Sequence, residues 1–555
     1  MLDLECEGAG ALVVKLFQVL LDAVNPMNAS LVEEDATKVL WTMLEESEDV
    51  GPEILSAIME RLVQPCKTDN SAAHALACEL IRKNDSNLQL AVQHFLIDAL
   101  KNKGNGEHAM SKRFVDVLEA IAVVDSTSLV TVWPVLMDEL HCDDEDARMR
   151  AVKVFGRVLA APGSTVAKDF AHYLTQFLRR FQDKKPEVRV EMLKWASAFV
   201  LNSECDDAAI ENEVVSHFKE RLYDFEEKVR VAAVAAVSDI AEVKPNAIDG
   251  EMLRSLGERM RDKRASVRHP VMKRLGAVYR AFAGRHADAE TPAAEAARFD
   301  WIPSTLLKGC AQADVMHHGV EPVIVDLFPA RVSVERRSMF WLSALCKQDE
   351  HASKALCCIL RNKTYAQRDV RAYLDLRTKS RASQMSQGTG EELADVSADD
   401  FTRAIHAIAC HFPDQTKAVA SMEKVHAMKD GNIFRGFSSL LKPELSAAEC
   451  TSITDDVLKR IGSKSATYEF AKLLMIKIAQ QPFGREHVRK VLDIVAAAAK
   501  HKNATGSMTA ALEHLVQLAG SAPHHQIERE HLALGGGKHL DGLRGGALGQ
   551  RKREG

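Results

Sequence analysis

Apolar residues recur along this chain at the spacing of one helix face. Val166, Phe170, Leu174, Phe177, Leu178 and Phe181 form one stripe. Val229, Ala233, Val234, Ala236, Val237 and Ile240 form a second, and Val267, Val271, Leu275, Val278 and Phe282 a third. A period near 3.6 predicts amphipathic α-helices with one buried side. Between the stripes a short polar phrase repeats. It reads Leu140-His141-Cys142…Ala147-Arg148, Phe181-Gln182-Asp183…Val188-Arg189, Leu222-Tyr223-Asp224…Val229-Arg230 and Met260-Arg261-Asp262…Val267-Arg268. Its third residue returns after 41, 41 and 38 positions (142→183→224→262). A period of about 40, with an apolar helix on each side of a polar turn, predicts an all-α HEAT-repeat solenoid wound as a curved superhelix.

The phrase carries its own chemistry. An Asp at the turn accepts free amides at the start of the second helix. Pro186 lies just inside that helix, where a missing N–H is harmless. The residue before each Arg packs inward, and the Arg faces the interior of the stack. There Arg148, Arg189, Arg230 and Arg268 can reach the Asp of a neighbouring repeat, giving a structural ladder with Asp183, Asp224 and Asp262. Cys142 stands where the first Asp would be and predicts a weaker rung. Pro270, inside the fourth second helix, predicts a kink.

Less regular stripes extend the pattern. Val13, Leu16, Phe17, Leu20 and Leu21 form one, Val39, Leu40, Met43 and Leu44 another, and Ile54, Leu55, Ile58, Met59 and Leu62 a third. The expected organisation is an N-terminal part of the array over 1–300, clearest at 133–282, and continuing repeats over 301–380. A polar linker over 381–400, further helical repeats over 401–519 and a Gly-rich disordered tail over 520–555 complete it. Residues 101–106 read as a loop, and the Ala- and Glu-rich stretch 283–297 as a longer one.

Composition narrows the function. The 555 residues exceed what one core usually holds, and a net charge of −6 gives no global pull toward nucleic acid. Eleven cysteines without a Cys-x-x-Cys spacing suit a reducing compartment. No stretch is long and apolar enough to suggest a membrane span. No phosphate-cradling glycine loop, nucleophile elbow or zinc helix is present, and a lone Ser421-Met422-Glu423-Lys424 is a chance match, so no catalytic or metal site is expected. What remains is clustered cations. Arg179, Arg180, Lys184 and Lys185 bracket one turn, and Arg261, Lys263 and Arg264 another, which makes them anion-binding candidates. Arg361, Lys363, Arg368, Arg371, Arg377, Lys379 and Arg381 crowd a third segment.

Particular words then point further: Leu44-Glu45-Glu46-Ser47-Glu48-Asp49-Val50, Phe299-Asp300-Trp301-Ile302-Pro303, Asp326-Leu327-Phe328-Pro329, Asn432-Ile433-Phe434, Leu458-Lys459-Arg460-Ile461-Gly462 and Glu486-His487-Val488. In this order, from about residue 12 to about 500, the chain resembles the sister-chromatid cohesion regulators of the "precocious dissociation of sisters" family. The resemblance implies a non-catalytic nuclear, chromatin-associated scaffold that binds the kleisin subunit of the cohesin ring and cooperates with a release factor. Weak DNA contact is implied too, no cofactor is required, and some members carry inositol hexakisphosphate. The family's Ala-Pro-Asp-Ala-Pro docking loop for the release factor does not occur here, and the chain reads as a fragment or a shortened paralogue. The resemblance puts the kleisin within about 320–440. There Tyr365 and Tyr373, eight positions apart, are the expected exposed contacts, while Met339, Phe340, Trp341 and Leu345 are expected in the core. The alternative is a general HEAT adaptor, a transport receptor or phosphatase scaffold.

Overall fold

The computed structural model of the chain describes residues 52–63, 71–83, 86–105, 110–202, 208–288, 292–309, 316–329, 331–346, 350–386 and 397–479, with single positions at 15, 38, 42, 486, 487, 489, 490 and 493. Among the described residues every regular element is helical. Two compact units divide the chain, one ending at Ile248 and the other starting at Asp249.

The first unit holds α1 (Pro52–Val63), α2 (Ser71–Lys83), α3 (Ser86–Lys101), α4 (Phe114–Val124), α5 (Val132–His141), α6 (Glu145–Leu159), α7 (Val166–Asp169), α8 (Ala171–Leu178), α9 (Pro186–Asn202), α10 (Ala208–Leu222) and α11 (Glu227–Val243). The helix pairs α5/α6, α8/α9 and α10/α11 are the repeats. Their second helices stack in order, α6 on α9 and α9 on α11. The apolar period explains this: α6 buries Ala151, Val152, Phe155, Val158 and Leu159 along one side. Aromatic rings pass the contact from repeat to repeat. Trp133 meets Phe155 at 5.1 Å, Phe155 meets Phe177 at 4.7 Å, and Phe177 meets Trp195 edge-on at 4.8 Å. Burying a ring such as Phe155 stabilises by about 1.5–3 kcal/mol. Gly156 is required for one of these approaches, because a Cβ there would lie 2.6 Å from the Trp195 ring.

The second unit holds α12 (Gly250–Glu258), α13 (Ala265–Arg285), α14 (Ala293–Phe299), α15 (Ile302–Gly309), α16 (Met316–Val325), α17 (Val334–Cys346), α18 (Glu350–Ser386), α19 (Ala398–Ala409), α20 (Gln415–His426), α21 (Gly431–Leu440), α22 (Ala447–Ile461) and α23 (Tyr468–Ile478). Reciprocal capping boxes start α19 (Ser397 with Asp400) and α22 (Ser446 with Glu449). The Trp-Ile-Pro word has a local cause. Trp301 lies over Gly257, where a Cβ would be 2.5 Å from its ring, and its indole N–H donates to Arg298 O at 2.7 Å. Pro303 then sits in the first turn of α15, where it removes no helical hydrogen bond.

Some expectations need correction. Residues 283–297 are not one loop: α13 runs to Arg285 and α14 occupies Ala293–Phe299. The polar linker does not begin at 381, because α18 continues to Ser386. Met339 is exposed, whereas Phe340 and Trp341 are buried. The stripe 13–21, residues 480–485 and the stretch 494–555 lie outside the described residues, as does nearly all of 39–50.

Candidate functional site

Each repeat turn is built around one carboxylate. Arg148 Nε and Nη2 donate to the two Asp183 oxygens at 2.9 and 3.2 Å, and its Nη1 caps Cys142 O and Asp143 O in its own turn. One repeat on, Arg189 reaches Asp224 at 2.9 and 2.7 Å while its Nη1 caps Asp183 O at 2.7 Å. Arg230 caps Asp224 O and Phe225 O, and Arg268 caps Asp262 O. The Asp side chains also fold back on their own turns: Asp183 accepts from the Lys185 amide, Asp224 from Glu226 and Asp262 from Arg264, at 2.9–3.0 Å. Burial pulls the Asp183 carboxyl upward, but the bonds from Arg148 and the Lys185 amide and the nearby guanidinium charges outweigh it. The acid is held below its ordinary value.

A third partner was missed in the sequence. Arg180, Arg221 and Arg259, three residues before each Asp, pair with Asp183, Asp224 and Asp262 at 3.2, 2.9 and 3.5 Å. The recurring Arg-x-x-Asp was the available signal. Arg180, an anion-binding candidate by sequence, is thus engaged with a buried carboxylate. Lys185 is engaged too, by Glu145 at 2.5 Å. Arg179, Lys184, Arg261, Lys263 and Arg264 point to solvent. With Arg180 and Lys185 in ion pairs, the first cluster keeps Arg179 and Lys184 as its exposed cations.

In the second unit α18 is the central element, packing on α15, α19 and α23. Its 37 residues span about 55 Å. One side is exposed and carries Lys354, Arg361, Arg368, Arg371 and Lys379, with Arg368 paired to the neighbouring Asp369 at 2.9 Å. Tyr365 stands among them, 45% exposed, with the Arg368 guanidinium 5.5 Å from its ring centre. Tyr373 does not share that face. It is fully buried against Phe401 and Phe434, and its hydroxyl is 2.8 Å from His426 Nδ1. Eight positions at 100° each leave the two tyrosines 80° apart, enough to turn one inward.

The inward side of α18 holds a cluster that no sequence pattern announced. Glu321 on α16 meets Lys363 at 3.2 Å and Lys477 at 3.0 Å, all three buried. Lys363 also donates to Ala479 O and Ile476 O, and Gln367 to Ile478 O, which satisfies the last carbonyls of α23. Burial works against the Glu321 charge, but the two ammonium groups keep the acid below its ordinary range. Burial, with Lys477 nearby, pushes Lys363 down. Among the described residues no cluster of metal-ligating side chains occurs.

Comparison with known proteins completes the picture. The family described as "Sister chromatid cohesion protein PDS5 protein" matches residues 1–533. The Arabidopsis thaliana sister chromatid cohesion protein PDS5 homolog A is 26% identical over 510 residues, covering 91% of this chain and 30% of that protein. The Homo sapiens homolog A is 23% identical over 499 residues, covering 88% of this chain and 36% of its own length. The chain thus spans about a third of the length of these curated relatives. Among solved structures, that of the Pds5–Scc1 complex aligns with a TM-score of 0.66 at 15% identity, over 94% of this chain and 78% of the other.

Proposed function

Because the chain belongs to the PDS5 family of sister chromatid cohesion proteins, we propose that it is a non-catalytic regulator of cohesin that binds the kleisin subunit of the ring through its HEAT-repeat scaffold. By that contact it modulates release or maintenance of cohesion on nuclear chromatin. The family match over 1–533 carries the reading. The resolved likeness to Pds5 in complex with Scc1 supports it, and the kleisin is taken as the corresponding partner.

The exposed side of α18 is the proposed seat. It lies inside the segment 320–440, it is the longest helix among the described residues, and it combines an exposed tyrosine with a row of cations. Such a row favours an acidic helix or strand, with the aromatic ring as its anchor. An inositol polyphosphate, if bound, belongs on the same cations rather than on the turn around Asp183. Release-factor docking and a weak DNA contact are carried by the family alone.

The test is capture of purified kleisin by the full chain. Tyr365→Ala with Arg361→Glu is expected to weaken binding about tenfold or more, with an unchanged melting temperature because both side chains are exposed. Tyr373→Phe leaves capture unaltered. Full capture by the first variant would refute the seat on α18, and no capture by the parent chain would refute the reading itself.

A further inference from the structure

A second surface lies in the first unit. Along α6, Gly156 and Ala160 are one turn apart; along α9, Trp195 and Ala198 face them. The Trp195 ring fills the space over Gly156, and the short side chains of Ala160 and Ala198 leave the trough beside it open. It measures about 490 Å³, and Ala161 and Pro162 also line it. Beside Pro162, Val123 stands 43% exposed against Gly163, so the apolar surface continues past the trough. An apolar floor of this size is adequate for one or two side chains of a bound segment.

The rim supplies a sign. Glu119 is taken by Arg157 at 2.6 Å, and Arg157 also holds Asp116 at 2.8 Å. Glu191 is taken by Lys194 at 3.1 Å. Lys153, also on the rim and exposed, has no carboxylate partner among the described residues. The trough therefore offers an apolar seat with one unspent positive charge, inside a ring of paired charges that would shield a seated side chain from water.

We propose that the trough between α6 and α9 docks a short acidic segment of a partner protein. One large apolar side chain lies over Trp195 between Ala160 and Ala198, and a neighbouring carboxylate meets Lys153. A nucleic acid fits poorly, because a single free cation flanked by two carboxylates offers little to a phosphate backbone. The site is independent of the seat on α18, and neither needs the other.

A display library of random peptides of about twelve residues, selected on the full chain, tests this. Enriched peptides should carry a large apolar residue within a few positions of an Asp or Glu. Ala198→Trp, which fills the trough from a half-buried position, should weaken an enriched peptide about tenfold or more in anisotropy titrations. Lys153→Glu should do the same from the rim, and Lys153→Arg should retain binding. Hydrogen exchange of α6 and α9 amides should stay at parent rates in the rim variants, which separates loss of the site from loss of the fold. Enrichment of basic peptides, selection of nothing that Ala198→Trp distinguishes, or equal binding to Lys153→Glu would overturn the proposal. So would concentration-dependent self-association abolished by Ala198→Trp, which would give the trough to a second copy of the chain.

Discussion

Removal of one ladder guanidinium has a calculable effect. Arg189→Ala deletes both bonds to Asp224 and leaves Asp183 O and Lys184 O without their donor. Asp224 stays buried, with Arg221 at 2.9 Å and the Glu226 amide at 3.0 Å. Breaking a buried ion pair from one side costs about 3–5 kcal/mol. The two surviving contacts put the expected loss at the low end, about 3 kcal/mol. Arg180→Ala is the control, because its partner is three residues away and its side chain is more exposed. Asp183 then keeps both Arg148 bonds and the Lys185 amide, so the loss is that of one hydrogen bond, about 1 kcal/mol. Hydrogen exchange on the full chain reads the difference locally, without assuming that the whole array unfolds at once. Each 1.4 kcal/mol is about a tenfold change in the open population. Amides of α9 and α11 should therefore exchange about a hundredfold faster in Arg189→Ala and less than tenfold faster in Arg180→Ala. Equal acceleration in the two variants would show that the inward guanidinium is no stronger a tie than the outer one.

Two further outcomes are expected. Glu321→Gln strands two buried ammonium groups and should cost about 3–5 kcal/mol, with part of it regained when Lys477 is also changed to Met while Lys363 keeps Ala479 O and Ile476 O; a melting temperature within a degree of the parent would sink that account of the α16–α18–α23 contact. His487 is buried, and with the Arg337 charge added its imidazole is pushed down to about 4 from 6.5. The unfolded chain then takes up a proton first, so stability falls as pH drops from about 6.5 to 4, by about 3 kcal/mol in all, and is unaffected above that window. His487→Leu should flatten this slope in melts at stepped pH, and an identical slope in the variant would assign it to other groups.

The helices and their turns were legible because one constraint recurs. Every repeat needs an apolar face, and every turn needs an acceptor, so Asp183, Asp224 and Asp262 appear at nearly equal intervals. The partners of Arg148 and Arg189 could be inferred because the ladder repeats the same 35-residue reach. The Arg180–Asp183 pair was missed because a cation next to another cation looks like surface charge until its neighbour three positions on is known to be buried. Tyr373 was misjudged because an eight-residue spacing hides an 80° rotation at the margin between core and surface. The Glu321–Lys363–Lys477 cluster had no local signature at all. Its members lie on three helices separated by 42 and 114 residues (321→363→477), and only packing brings them together.

The 35-residue reach also limits how such a chain can change length. Deleting one residue inside α9 would rotate everything after it by 100°, and Arg189 or Asp224 would leave its partner. Changes of length that keep the pairing fall in the connections between helices, or remove or add a whole repeat of about 40 residues from one Asp to the next. Each carboxylate thus acts as a gauge mark, so repeats can be added or lost by the module while drift by single residues within a helix is eliminated.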